Sequence, residues 1–245
     1  MHLVMFDVDG TLTETMDVDE DCYVRSFKDV FGFADIDTDW SHYSRATDSG
    51  IFHDVFTSRV GRSPTPAEVS RFRQHFIDLL TEASSQCPFA PVAGADRLLS
   101  KLAHSSSYRV SLATGGWSDS ARLKMTGAGM CFDDYPVASA DDAFDRESIM
   151  RLSRHRAAER HGETFACAVY VGDGAWDARA CRKLDLSFIG IGTGSRATRL
   201  AAEGAVCVLP DFSDTDLFFE TVRGLTHPRP NHAMERTADR CALPF

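Results

Sequence analysis

The sequence predicts an α/β fold, a doubly wound parallel sheet with a helical domain inserted after the first strand. Three observations carry that expectation. Short apolar runs rich in β-branched residues recur with helical patterns between them. These runs lack polar alternation, as strands buried on both faces do. A long stretch of helical periodicity, from about Met16 to Pro88, also stands between the first run and the rest.

The elements follow in order. Leu3 to Phe6 is the first strand. In the insert, Asp17 with Glu20 suggests a capping box ahead of Tyr23, Phe27, Val30 and Phe31 at helical spacing. Asp48 is placed to cap a second helix bearing Phe52, Val55, Phe56 and Val60. Thr65-Pro66-Ala67-Glu68 joins an N-cap, a proline at the first helical position and an acid at the third, ahead of Val69, Phe72, Phe76, Leu79 and Leu80. The aromatic residues of these helices read as the core of the insert. Beyond it come a helix through Ala95, Leu98, Leu99 and Leu102, and another from Arg146 to Arg160. Strands are expected at Arg109 to Ala113, Ala168 to Val171, Phe188 to Ile191 and Val206 to Leu209, with a weaker one at Pro136 to Ala138. The expected organisation is a core of residues 1–15 and 89–226, an inserted domain of residues 16–88, and a loosely ordered tail, 227–245, that carries proline and loses apolar periodicity.

Composition excludes several classes. With 245 residues, 43% hydrophobic and 25% charged, the chain is neither disordered nor collagenous nor membrane-spanning. Its net charge of −10 argues against nucleic acid or an anionic membrane as a partner. The seven cysteines are scattered and never form C-x-x-C, so no disulfide framework or zinc site is expected. Most of them are read as buried small hydrophobes in a reducing compartment. Asp7 and Asp9 interrupt the N-terminus before a signal-like apolar stretch can form. A cytoplasmic, soluble protein is the expectation.

The chemistry gathers where strands end. The first strand runs into Asp7-Val8-Asp9-Gly10-Thr11, two carboxylates at i and i+2 followed by a glycine that permits a sharp turn. A second strand ends Thr114-Gly115-Gly116, a hydroxyl and glycines able to donate to an anion at a helix entry. A third ends Gly172-Asp173-Gly174-Ala175-Trp176-Asp177. Each string alone is compatible with a plain turn. Four acids and a hydroxyl at one end of one sheet point to a metal-assisted site, because crowded like charges are costly unless a cation compensates them.

These strings resemble the signature motifs of the haloacid dehalogenase superfamily of phosphohydrolases, and the position of the insert resembles the helical cap of its phosphoglycolate phosphatase and β-phosphoglucomutase branch. The resemblance implies a Rossmann-like core and a Mg2+-dependent phosphatase acting on a small phosphorylated metabolite. Asp7 would be the nucleophile and Asp9 the general acid and base. Mg2+ would be held by Asp7, the Asp9 backbone carbonyl and Asp173, with Asp177 as a further ligand or orienting group. Thr114 and the amides around Gly115 would bind the phosphoryl oxygens. The family's usual lysine is missing before the acidic motif, and Arg146, at the expected start of a helix, is the candidate for its cationic role. The competing reading of Arg146 is a surface ion pair with Glu147 or a neighbouring acid. Arg45, Thr47 and Asp48 lie at an expected turn of the cap, within possible reach of substrate. A phosphomutase and a catalytically silent binding module on the same fold are the alternatives.

Other signals are set aside. Gly190-Ile191-Gly192-Thr193-Gly194-Ser195 lacks the third glycine of a dinucleotide fingerprint and reads as a turn into a helix. His155 and His161 are six residues apart, the wrong spacing to share a metal from one helical face.

Overall fold

A computed structural model describes residues 1–226; the expected tail, 227–245, lies outside them. Six strands form one sheet: β1 (His2–Phe6), β2 (Tyr108–Ala113), β3 (Val137–Ala138), β4 (Cys167–Gly172), β5 (Ser187–Ile191) and β6 (Cys207–Leu209). Their order is β3-β2-β1-β4-β5-β6, and every pair is parallel. This is the doubly wound order, in which the chain runs outward in both directions from the centre and leaves a crevice between β1 and β4 at their C-terminal ends.

Successive residues of β1 serve opposite faces, as strand geometry requires. Val4 and Phe6 pack with α4 (Ala95–Ala103) and α9 (Thr215–Thr226) through Leu98, Leu99, Phe218 and Val222. Leu3 and Met5 pack on the other side with α6 (Arg146–His161), α7 (Ala175–Leu184) and α8 (Gly194–Ala202) through Ile149, Met150, Ala178, Cys181 and Leu200. Both faces are therefore covered, which explains the unbroken apolar runs. One further core helix, α5 (Ser118–Gly127), follows β2.

The insert holds α1 (Met16–Phe31), α2 (Asp48–Val60) and α3 (Pro66–Gln86), with a single 3-10 turn at Trp40–His42. Phe27, Phe52 and Phe72 meet at its centre, with ring centroids 4.5 to 5.8 Å apart. Aromatic groups at such separations add to the area they bury. The chain enters and leaves the insert side by side, because Glu14 N donates to Ala90 O and Val92 N to Leu12 O, both at 2.9 Å.

Two expected helix starts are corrected. The N-cap of α1 is Thr15, which makes no side-chain cap, and the Glu20 carboxylate accepts instead from Trp40 Nε1 at 2.7 Å. The N-cap of α2 is Thr47, whose hydroxyl accepts from Gly50 N at 3.0 Å, so Asp48 is free for another role. The capping box at Thr65 and Glu68 is present. The cysteine expectation is also corrected: Cys22, Cys181 and Cys207 are buried, whereas Cys87 and Cys131 are exposed and Cys167 lies between. Among the described residues no helix is long and apolar enough to cross a membrane.

Candidate active site

Register brings the three strand ends to one rim. Phe6 lies level with Leu112 on one side and Val171 on the other. The residues that follow, Asp7, Thr114 and Asp173, therefore emerge together in the crevice. Gly10 makes the close approach possible: its φ is +67°, and a Cβ there would sit 2.2 Å from Asp173 Oδ2. Asp177, in the first turn of α7, accepts from Gly174 N at 3.3 Å.

Oxygen atoms of Asp7, Asp173 and Asp177 all fall within 4.8 Å of one another, and all three residues are buried. Burial pushes the Asp7 carboxyl upward, against the pull of Arg146, and Asp9 adds to the rise. It likewise holds Asp173 well above the usual carboxylate range and raises Asp177 to about 7. Asp177 Oδ1 is buried without a hydrogen-bond partner. A hard-oxygen donor set of this kind, desolvated and short of positive charge, fits a divalent cation such as Mg2+.

Two arginines face the cluster. Arg146 is 9% exposed, and its Nη1 lies 3.1 Å from Asp7 Oδ2 and 3.4 Å from Asp177 Oδ1. The Asp145 N-cap, which accepts from Ser148 N at 2.8 Å, fixes where α6 begins and so where Arg146 projects. The surface pairing with Glu147 does not form, since Glu147 bonds Lys183. Arg196, at the start of α8, reaches Asp173 Oδ2 at 3.1 Å. Nothing in its sequence neighbourhood beyond a glycine-rich turn pointed to that contact.

Thr114 is buried, and its hydroxyl accepts from Gly116 N at 3.1 Å. Gly115 lies against Arg146: a Cβ there would stand 2.5 Å from Cζ and Nη2. Gly115→Ala is therefore expected to push the guanidinium off Asp7. Overpacking of this kind costs about 1–3 kcal/mol, and turnover should fall by about 100-fold; kinetics alongside thermal melts would show both. A variant with wild-type kinetics would mean that Arg146 is free to move.

Asp9 stands apart from the cluster. Its Oδ1 accepts from Thr15 Oγ1 at 2.6 Å, and Lys124 Nζ lies 2.9 Å from both carboxylate oxygens. Lys124 is fully buried and also bonds Asp19 of α1. Burial alone would lower its ammonium pKa, but Asp19, Asp9 and Asp48 outweigh it and the pKa is raised. Burial raises Asp19 to about 6 even against Lys124. Sequence reasoning missed Lys124, although a signal existed: Ala121, Lys124 and Met125 of α5 and Ala128 at its C-cap form one buried stripe, with a lysine in its middle.

A family model of the haloacid dehalogenase-like hydrolases matches residues 1–185. The chain belongs to that family. Among solved structures it is similar to a hydrolase from Pseudomonas syringae (18% identity, TM-score 0.71, covering 91% of this chain and 99% of that one). It is similar as well to CbbY from Rhodobacter sphaeroides in complex with xylulose-(1,5)-bisphosphate (19% identity, TM-score 0.65, 86% and 95%). A third is a predicted phosphoglycolate phosphatase from Haemophilus somnus (16% identity, TM-score 0.61, 89% and 97%). A search of curated protein sequences found no match.

In this hydrolase the insert packs directly on the rim where the strands end. Asp48 N donates to Gly115 O at 2.8 Å, Trp117 N donates to Asp48 Oδ2 at 2.9 Å, and Arg146 Nε donates to Ala46 O at 3.0 Å. Trp117 is buried among Tyr23, Phe72 and Phe76 of the cap, with ring centroids 6.0 to 6.1 Å away. The cavity left between insert and rim measures about 80 Å3, is partly open to solvent, and is lined by Asp7, Asp9, Thr114, Gly115, Arg146 and Asp173 from the core. Thr47 and Asp48 line it from the cap. Arg45 does not; it pairs with Asp54 and packs over Phe144.

Proposed function

We propose that the hydrolase is a Mg2+-dependent phosphatase that cleaves a small phosphate monoester through an aspartyl-phosphate. The observation that carries this reading is the juxtaposition in one cavity of Asp7 and Asp9, two carboxylates with different surroundings. Asp7 faces a guanidinium and the carboxylate cluster, which suits a nucleophile, while Asp9, two residues on and held in place by Lys124 and Thr15, stands where the family motif puts the acid and base.

An Asp7 oxygen attacks phosphorus as the ester P–O bond breaks, and Asp9 gives its proton to the departing oxygen. Asp9 then takes a proton from water as that water attacks phosphorus, releasing phosphate and restoring the Asp7 carboxylate. Thr114, the amide of Gly115 and Arg146 hold the phosphoryl oxygens, and the arginine's fork suits two of them at once. Asp7, Asp173 and the Asp9 carbonyl would hold Mg2+ with Asp177 beside them, and the ion supplies the positive charge that lets a carboxylate approach a phosphate. The cap packed over the rim limits the access of bulk water.

Hydrolysis of p-nitrophenyl phosphate tests the reading. Activity is expected to fall by about 100-fold or more in EDTA and to return with added Mg2+, with inorganic phosphate released in step with ester loss. Turnover indifferent to chelation would overturn the metal requirement. Transfer of the phosphoryl group without its release would identify a mutase instead.

A further inference from the structure

The wall opposite the phosphoryl end of the cavity carries information about the leaving group. Among the described residues Arg146 is the one cationic side chain that lines the cavity, and it stands against Asp7. Facing it, α1 supplies Asp19 and Glu20, α2 supplies Asp48, and the rings of Tyr23 and Trp40 fill the space between. These acids are set in place by their neighbours. Trp40 Nε1 donates to Glu20 Oε2 at 2.7 Å, Trp117 N donates to Asp48 Oδ2 at 2.9 Å, and Lys124 bonds Asp19 from within the core. Tyr23 spends its hydroxyl on the Asp48 carbonyl, at 2.6 Å, which leaves its ring for contact. On the core side Trp176 also lines the cavity, and its indole Nε1 is buried with no hydrogen-bond partner, a donor suited to a substrate oxygen.

Three kinds of leaving group can be weighed against this wall. A second phosphate or a carboxylate would be pressed against Asp19 and Glu20 with no lining cation to receive it, since Lys124, behind the wall, is already bonded to Asp9 and Asp19. Burial, with Asp19 beside it, holds the Asp48 carboxyl well above the usual range, so Asp48 adds an oxygen more than a charge. Like charges brought together in a half-buried cleft are disfavoured. A neutral polyol would find hydrogen-bond acceptors but gain nothing from their charge. An ammonium group would meet carboxylates and aromatic faces together, the two surfaces that bind such a group.

We infer that the substrate is the phosphate monoester of a small amino alcohol, bound with its phosphoryl group at Asp7 and its ammonium among Asp19, Glu20, Asp48, Tyr23 and Trp40. The inference rests on the phosphatase reading and adds the charge of the leaving group to it. It also separates this chain from CbbY, whose structure holds a sugar bisphosphate. A bisphosphate needs a cation at each end, and this cavity offers one at a single end.

The test compares kcat/KM in Mg2+ for p-nitrophenyl phosphate and four small esters: phosphoethanolamine, phosphocholine, glycerol 1-phosphate and phosphoglycolate. The better of the two ammonium esters is expected to exceed glycerol 1-phosphate by about ten-fold and phosphoglycolate by about 100-fold. A lead for phosphocholine would place the weight on the rings, and a lead for phosphoethanolamine on the carboxylates; either supports the inference. In Glu20→Lys the ratio of ammonium ester to phosphoglycolate is expected to fall by about ten-fold or more. A wild-type preference for phosphoglycolate, or equal rates on all four esters, would overturn the inference while hydrolysis of the aryl phosphate still upheld the phosphatase reading. No hydrolysis of any ester, the aryl phosphate included, would remove both.

Discussion

Asp7→Asn is expected to lower turnover by about 10^4-fold or more, the scale on which loss of a nucleophile acts, and to leave the metal-free protein as stable as before or more so. The two effects share a cause. The Asp7 carboxyl is raised above its ordinary value by burial, against Arg146 and with Asp9 adding to the rise, so its charged form is disfavoured in the fold. An amide of the same shape carries no such penalty. The sign with pH follows. The folded pKa of Asp7 and Asp173 is raised and that of Asp177 is about 7, whereas an unfolded aspartate titrates near 3.8. Between those limits the folded chain binds more protons than the unfolded one, so these groups add stability as pH falls from about 7 and subtract it as pH rises. Melting in EDTA from pH 5.5 to 7.5 should therefore show Asp7→Asn gaining on wild type as pH increases. Parallel curves, or a gap that closes toward pH 7.5, would show that Asp7 is not strained in the empty site. Added Mg2+ should raise Tm most in wild type near pH 7.5.

Lys124→Met is expected to be the most destabilising single change. It would leave Asp9 and Asp19 in the fold without the ammonium that bonds both. Removing one partner from a buried pair costs about 3–5 kcal/mol, which in a chain of this size corresponds to a fall in Tm of about 6–20 °C. The double variant Lys124→Met, Asp19→Leu should recover part of that loss, because the orphaned charge in the cap goes with its partner. Calorimetry of the three proteins would decide, and a single-variant shift under about 2 °C would show that Asp9 and Asp19 find other partners.

Much of the architecture was legible because the strands are covered on both faces. Leu3 to Phe6 and Ala168 to Val171 fit strands buried on both faces, and Asp7 and Asp173 follow close on their ends. The glycines beside them were legible for the same reason, since close approach leaves no space for a Cβ at Gly10 or Gly115. Local chemistry misled where a tertiary partner competed for it. Glu20 and Asp48 have the spacing of helix caps, yet Trp40 and Trp117, from elsewhere in the chain, take their carboxylates. Lys124 and Arg196 bond acids 115 and 23 residues away in sequence, and no local pattern encodes such pairs. Arg146 was legible because the family resemblance left a cationic role vacant at a helix start.

The paired crossings at Glu14 with Ala90 and Val92 with Leu12 divide the labour of the molecule. Every group proposed to act on phosphorus lies on the core side of that seam, and the cap meets the rest of the chain covalently only there. A change in the cap reaches the strand ends through space rather than along the chain, by way of Asp19 on Lys124, Ala46 on Arg146 and Asp48 on Gly115. Because the two crossings are bonded side by side, the cap is anchored to the sheet at one place along the chain and held over it elsewhere by side-chain contacts. A substitution in one half is therefore answered by a residue in the other, and the two stretches of the gene are read by selection together.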